Sequence, residues 1–220
     1  MAQASEIVAE RWTPLILREL LCGSERFNEL KRGLPRISPS MLSRRLDQLE
    51  GEGLLERRED EEGPRYHLTP AGEELRPVVE ALGRWGKRWL PTELDPEDLD
   101  PSLLMWDLQR RVDPGELPEE RVVVRFHYPD AEKPFRRWWV LLGPDEVDLC
   151  LKPPGYSVDL SVQCDVETMV RIWLGDLDLA SAMAEGRLEL EGPEDLRRRF
   201  SDWLGLSMFA EVRRSRVRET

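Results

Sequence analysis

One device recurs in the first ninety residues: a hydroxyl side chain followed directly by proline, at Thr13-Pro14, Ser38-Pro39 and Thr69-Pro70. The hydroxyl can accept a hydrogen bond from the unpaired backbone N–H groups of a first helical turn, and proline, which lacks an N–H, is well suited to that turn. Each pair therefore predicts a helix start. Leu15, Ile16, Leu17, Leu20 and Leu21 follow the first, and Gly23 closes it. Leu42, Leu46 and Leu49 follow the second, which runs to about Glu52 ahead of Gly53; Leu75, Val78, Val79, Leu82, Trp85 and Trp89 follow the third at helical spacing. A further short helix fits Phe27–Arg32 before Gly33. Between the second and third starts, Leu54–Arg58 and Arg65–Leu68 read as strands joined by a hairpin across Glu59–Pro64. Helices, a hairpin and a last helix in this order make a winged helix-turn-helix.

In such a domain the helix after Ser38 is the one that enters a DNA major groove. Leu42, Leu46 and Leu49 form its buried face, while Met41, Arg44, Arg45 and Gln48 share another, with Ser38 and Ser40 at the N-terminal end. Arg and Gln match the donors and acceptors of base edges, and backbone N–H groups at a helix N-terminus can hold a phosphate. A solvated face of no function would look similar on an isolated helix; the flanking elements favour a DNA-reading one. The candidate DNA contacts are Arg36, Ser38, Ser40, Met41, Arg44, Arg45 and Gln48, with Arg65 at the base of the wing.

Charge at first points the other way. The 220 residues carry a net charge of −12, which as a mean argues against a nucleic-acid partner. The distribution reverses that inference. Residues 1–92 hold 15 Lys+Arg against 16 Asp+Glu, the remainder 17 against 28, and residues 26–45 hold six basic residues and one acid. The wing tip, Glu59 to Glu62, is acidic and predicts no deep minor-groove contact, although Arg57, Arg58 and Arg65 stand near its base. Acidic, proline-bearing residues 92–101 predict an exposed linker between a domain at 1–91 and a second at 102–212, and 213–220 a basic, solvated tail.

The runs Arg11–Leu20, Arg26–Leu30, Ile37–Leu46 and Glu52–Arg57, followed by Tyr66, Leu68-Thr69 and Gly72, closely resemble the HxlR family of bacterial transcriptional regulators over nearly all of residues 5–90. The resemblance implies a homodimer built on the terminal helices of the domain and reading a two-fold operator, with recognition helices roughly 34–36 Å apart. Family members that sense oxidants usually carry a cysteine ahead of the first helix. Here none precedes Cys22, which follows Leu20-Leu21 and reads as a buried structural thiol.

Beyond residue 120 the period changes to two. Val122, Val124, Phe126 and Tyr128; Val147, Leu149 and Leu151; and Val158, Leu160, Val162 and Cys164 each alternate with polar or small neighbours, the apolar run Trp138–Leu142 lies in the same sheet region, and Leu188 and Leu190 add a fifth strand. The expected fold class is α+β: the winged helix-turn-helix, then an antiparallel five-stranded sheet with one wet face, covered by helices on the other. Asp165–Thr168, Leu179–Gly186 and Leu188–Gly192 look like a sterol carrier protein domain, which implies an apolar tunnel for a fatty acyl or sterol-like molecule. Its candidate lining is Trp106, Phe126, Trp139, Met169, Trp173, Met183, Trp203 and Phe209; the same side chains would equally fill a closed core.

His67 and His127 have no partners at metal-ligand spacing, and no nucleophile elbow, phosphate loop or dinucleotide fingerprint occurs. No metal, cofactor or enzymatic activity is expected. No apolar run reaches membrane length, the N-terminus lacks a signal-peptide pattern, and three scattered cysteines fit a reducing cytoplasm. The sequence thus reads as a DNA-binding transcriptional regulator with double-stranded DNA, a second copy and an apolar effector as partners. The alternative is a lipid carrier or scaffold whose winged helix mediates protein contacts.

Overall fold

The structure of the protein is a computed structural model that describes residues 1–90, 94 and 99–215. Those residues form two compact units, one within Met1–Leu90 and one within Pro91–Ser215. Most of the expected linker at 92–101, and the expected basic tail from residue 216 onward, lie outside the described residues.

The first unit runs α1 (Ala2–Val8), α2 (Thr13–Leu21), α3 (Phe27–Gly33), α4 (Pro39–Gly51), β1 (Leu55–Asp60), β2 (Gly63–Leu68), α5 (Pro70–Glu73) and α6 (Arg76–Trp89). Two of the three hydroxyl–proline pairs cap as expected: Ser38 accepts from the Met41 N–H and Thr69 from the Gly72 N–H. Thr13 does not. Trp12 is the N-cap of α2, and Thr13 lies buried inside the helix. The helix expected from Thr69 onward is two helices, because Pro77 has no N–H to donate to the preceding turn; α5 stops after one turn and α6 restarts with Pro77 in its first. The hairpin pairs in unbroken register from Leu55↔Leu68 to Asp60↔Gly63, so its turn is only Glu61-Glu62. Cys22 is half-buried at the C-cap of α2 rather than sealed in the core.

Ile16 and Leu20 of α2, Leu30 of α3, Leu42, Leu46 and Leu49 of α4, and Leu55 and Tyr66 of the hairpin close one core. Burying each leucine contributes roughly 2 kcal/mol, which fixes how α4 is rolled about its axis. Under it, the buried Glu19 pairs with Arg18 and accepts from Ser24 Oγ at 3.3 Å. Gly72 packs so closely on the Leu54 carbonyl that a Cβ there would overlap it.

The second unit runs α7 (Pro101–Gln109), a 3-10 turn at Pro114–Glu116, β3 (Val122–His127), β4 (Arg137–Leu142), β5 (Val147–Cys150), β6 (Leu160–Cys164), α8 (Val166–Trp173), α9 (Leu179–Ala184), β7 (Leu188–Glu191) and α10 (Glu194–Trp203). Asp100 caps α7 and Pro101 opens it, so the end of the expected linker belongs to a helix. The five strands lie in the order β5-β4-β3-β6-β7. The sheet is mixed, not antiparallel: β6 runs parallel to β3, with Val124 opposite Leu160 and Phe126 opposite Val162. Period-two alternation tells which face of a strand is buried and is silent on the direction of its neighbour. Here residues 151–159 carry the chain from one edge strand to the far side of β3, and such a crossover restores strand direction where a hairpin would reverse it. Phe126, Tyr128, Trp138, Val140, Leu160 and Val162 meet Met105, Met169, Phe200 and Trp203 of the helices in one core. The other face is not uniformly wet, since Val123 and Trp139 on it are buried.

Gly72→Ala should lower the stability of the first unit by about 1–3 kcal/mol through this backbone overlap. Gly51→Ala, at the end of α4 where a Cβ meets nothing within 4 Å, should be neutral or stabilising. Denaturant midpoints of the two variants check both.

Candidate nucleic-acid interface

With Leu42, Leu46 and Leu49 turned inward, α4 presents Ser40, Arg44 and Gln48 to solvent, with Arg36 exposed in the turn before it. The helix start is well ordered by its own side chains. Ser38 Oγ accepts from Met41 N at 3.2 Å and lies 3.2 Å from Ser40 Oγ, leaving hydroxyls and the first-turn backbone N–H groups on the outer surface. Met41 is half-buried against the core, and its Sδ accepts from Arg44 Nη2 at 3.0 Å. A thioether is a weak acceptor, so Arg44 can exchange it for a base edge or a phosphate at little loss. Arg36, Ser38, Ser40, Met41, Arg44, Arg45 and Gln48 are thus brought together on one helix and its entry.

Two of the expected contacts are already engaged by carboxylates that sequence patterning missed. Arg45 is ion-paired to Glu10, which lies between α1 and α2, and its Nη1 donates to Gln48 Oε1 at 2.6 Å. Arg65 sits on β2 of the hairpin, not on α4; its Nη1 donates to Glu25 Oε2 at 2.7 Å and its Nε to Asp60 Oδ2 at 2.5 Å. Arg26, the N-cap residue of α3, also donates to Asp60, at 2.6 Å, and to Glu62, at 2.8 Å. Hydrogen bonds from Arg26 and Arg65 hold the Asp60 carboxyl well below the usual range. Arg57 donates to Asp47 at 2.7 Å and lies over the Tyr66 ring at 5.3 Å. The acids of the wing therefore serve as internal counterions for the arginines near its base. No helix among the described residues is long and apolar enough to cross a membrane, and no group of three or more His, Cys, Asp or Glu among them could hold a metal ion.

The expected effector residues are dispersed. Phe126, Met169 and Trp203 are buried in the core of the second unit, and Trp173 packs at its edge. Trp139 is on the opposite face of the sheet: it pairs with Arg125, whereas Trp138 pairs with Phe126. Trp106 is half-buried with the Arg110 guanidinium 5.9 Å from its ring, Phe209 is half-buried, and Met183 is exposed. Where Leu108, Val112, Val124, Phe126, Phe200 and Trp203 meet, the core leaves a cavity of about 20 Å³. That is room for about one water molecule.

Residues 7–94 match the model of the HxlR-like helix-turn-helix family. An uncharacterised HTH-type transcriptional regulator of Bacillus subtilis, YvaP, is 39% identical over 101 residues, covering 44% of this chain and 90% of YvaP. One from Mycobacterium tuberculosis is 43% identical over 94 residues, covering 41% of this chain and 59% of that protein. Among solved structures, the reduced form of the transcriptional regulator YodB from B. subtilis is 33% identical over 40% of this chain and 88% of its own, with a TM-score of 0.37.

A carboxyl depressed in the folded state lends stability that is present above its unfolded pKa and is lost only as pH falls through the folded one. The Arg26–Asp60–Arg65 tie should therefore survive acidification from about pH 5 to pH 3, the range in which ordinary aspartates titrate. The Asp60 carboxyl carbon resonance should stay unshifted there; a titration with the other exposed carboxylates would show the tie to be absent.

Proposed function

The chain belongs to the HxlR-like helix-turn-helix family, and from that premise we propose that it is a sequence-specific regulator that binds double-stranded DNA as a homodimer in the cytoplasm. The observation that carries the reading is α4 itself: a capped helix locked by three buried leucines, with Ser40, Arg44 and Gln48 exposed on its outer side. Arg44 is the reader of base edges and the Ser38–Ser40 entry holds a phosphate.

The dimer reading is supported by α6. Val78, Leu82, Trp85 and Trp89 recur at helical spacing yet are 42%, 50%, 57% and 47% exposed, which makes an apolar stripe along one helix of the unit. A stripe of this kind marks an interaction surface, and a two-fold axis would let it cover itself.

For the second unit, the reading is an apolar effector, such as the fatty acyl or sterol-like molecule that the sterol carrier resemblance implies, entering where α10 and α7 meet the sheet. The apolar lining of that cavity supports it, but about 20 Å³ does not hold an acyl chain, so Phe200 and Trp203 would have to part from Phe126 and Val124. An effector acts only through a difference in affinity between two arrangements of the protein, and a tenfold change in DNA binding needs about 1.4 kcal/mol.

Selection from a random duplex library should return a preferred sequence for the full chain, and Arg44→Ala should weaken binding to it by roughly 1–3 kcal/mol while relaxing one base position. Unchanged affinity and preference would remove Arg44 as the reader. Leu82→Asp with Trp85→Asp should turn a dimer into a monomer in sedimentation, and a wild-type monomer at the same concentration would overturn the dimer. Mass spectrometry of molecules released on denaturing freshly purified protein should find a stoichiometric apolar compound; none, together with no binding of a fluorescent fatty acid, would rule the effector out.

A further inference from the structure

Arg45 stands on α4, yet its charge is already engaged within the protein. Its Nη2 is paired with Glu10 Oε2, its Nη1 donates to Gln48 Oε1 at 2.6 Å, and its Nε is buried with no hydrogen-bond partner. The Arg45 side chain is 15% exposed and that of Glu10 41%. Arg26, at the N-cap of α3, and Arg65, on the wing, are different, since each touches two carboxylates, so no single acid controls either. For Arg45, Glu10 is the one carboxylate partner among the described residues.

The pair also decides what Gln48 can do. A guanidinium has donors only, so Gln48 must turn its Oε1 toward Arg45, and its NH2 then points away from that contact. Bidentate recognition of adenine uses both the oxygen and the nitrogen of an amide. A Gln48 held in this way is left as a donor, suited to acceptors such as purine N7, guanine O6 or thymine O4. Glu10 is exposed enough to let the ion pair exchange, and a pair with one solvated partner contributes no more than about 1 kcal/mol. Phosphate oxygens along a groove compete for the same guanidinium.

We propose that Glu10 is a specificity-determining residue for DNA recognition: by pairing with Arg45 it withholds one cation from the phosphate backbone and keeps Gln48 as a donor toward the bases. This rests on the DNA-binding reading above. Removing the Glu10 charge releases Arg45 to phosphate, which adds one sequence-independent contact, and frees both ends of the Gln48 amide.

The test uses full-length protein, the duplex obtained by selection and a scrambled duplex of equal length, titrated across a salt series. Glu10→Gln should bind both duplexes up to about fivefold tighter at 0.1 M salt, with log K falling more steeply against log salt by about 0.9. The double variant Glu10→Gln with Arg45→Ala should lose that gain and match Arg45→Ala alone. A repeat selection with Glu10→Gln should raise the preference for adenine at one position, where the freed amide oxygen can accept from N6 as its nitrogen donates to N7. Binding by Glu10→Gln that equals or falls below wild type, or a gain that survives in the double variant, overturns the proposal while leaving the DNA reading intact. Wild-type protein that binds neither duplex overturns the DNA reading and this inference with it.

Discussion

Three leucines on one side of α4 decide what the other sides can do. Leu42 and Leu46 are completely buried and Leu49 almost so. Their burial stabilises the packed helix by several kcal/mol, against about 1 kcal/mol for a typical solvated polar contact on the outer surface. The core therefore sets the roll of the helix, and every other side chain takes the position left to it. One residue along an α-helix is a turn of about 100°. That step separates Arg44, on the solvent side, from Arg45, which is carried to the flank where Glu10 meets it. The ion pair is a consequence of the packing rather than its cause.

The same unit keeps its charges close to neutral by pairing them within itself. Asp60 lies between Arg26 and Arg65, and Arg57 reaches Asp47 on α4 from β1. These contacts also stitch the hairpin to its neighbours. Tyr66 N donates to the Glu25 carbonyl at 2.7 Å, and Arg26 and Arg65 form an isolated bridge, so the stretch before α3 lies alongside the wing. An acidic wing tip would repel phosphate if it stood alone. Pairing with Arg26 and Arg65 offsets the charges of Asp60 and Glu62 within that tip.

What the sequence revealed and what it hid divide along the range of the interaction. Caps at Ser38 and Thr69 are local, made between residues three apart, and they are legible. Pro77 was equally visible, but the unbroken apolar spacing from Leu75 to Trp89 masked the break it makes. That spacing also could not distinguish a stripe buried in the monomer from one left on its surface, because both need the same residues. The parallel pairing of β6 with β3 depends on a crossover and leaves no mark on either strand. Glu10 beside Arg45 and Glu25 beside Arg65 are 35 and 40 residues away in the chain, beyond any pattern a helix or strand period can register. The apolar side of α4 was therefore legible, while the ion pairs on its other sides were not.

Those electrostatics make a chain of net charge −12 compatible with the proposed DNA-reading role of α4. In physiological salt, exposed charges more than about 8 Å apart are largely screened from one another. The excess of acids after residue 92 has little purchase on a phosphate lying against α4 unless it comes within that distance. What counts is the local inventory, where each arginine faces its own carboxylate and the nearest phosphate. A phosphate contact strengthens binding to every sequence alike and so cannot improve discrimination, whereas a base contact with a fixed donor can. On the proposed reading, a helix that withholds Arg45 from the backbone and presents Arg44 and an oriented Gln48 to the groove trades general affinity for selectivity. Acidity placed at Glu10 serves that end as directly as basicity placed at Arg44.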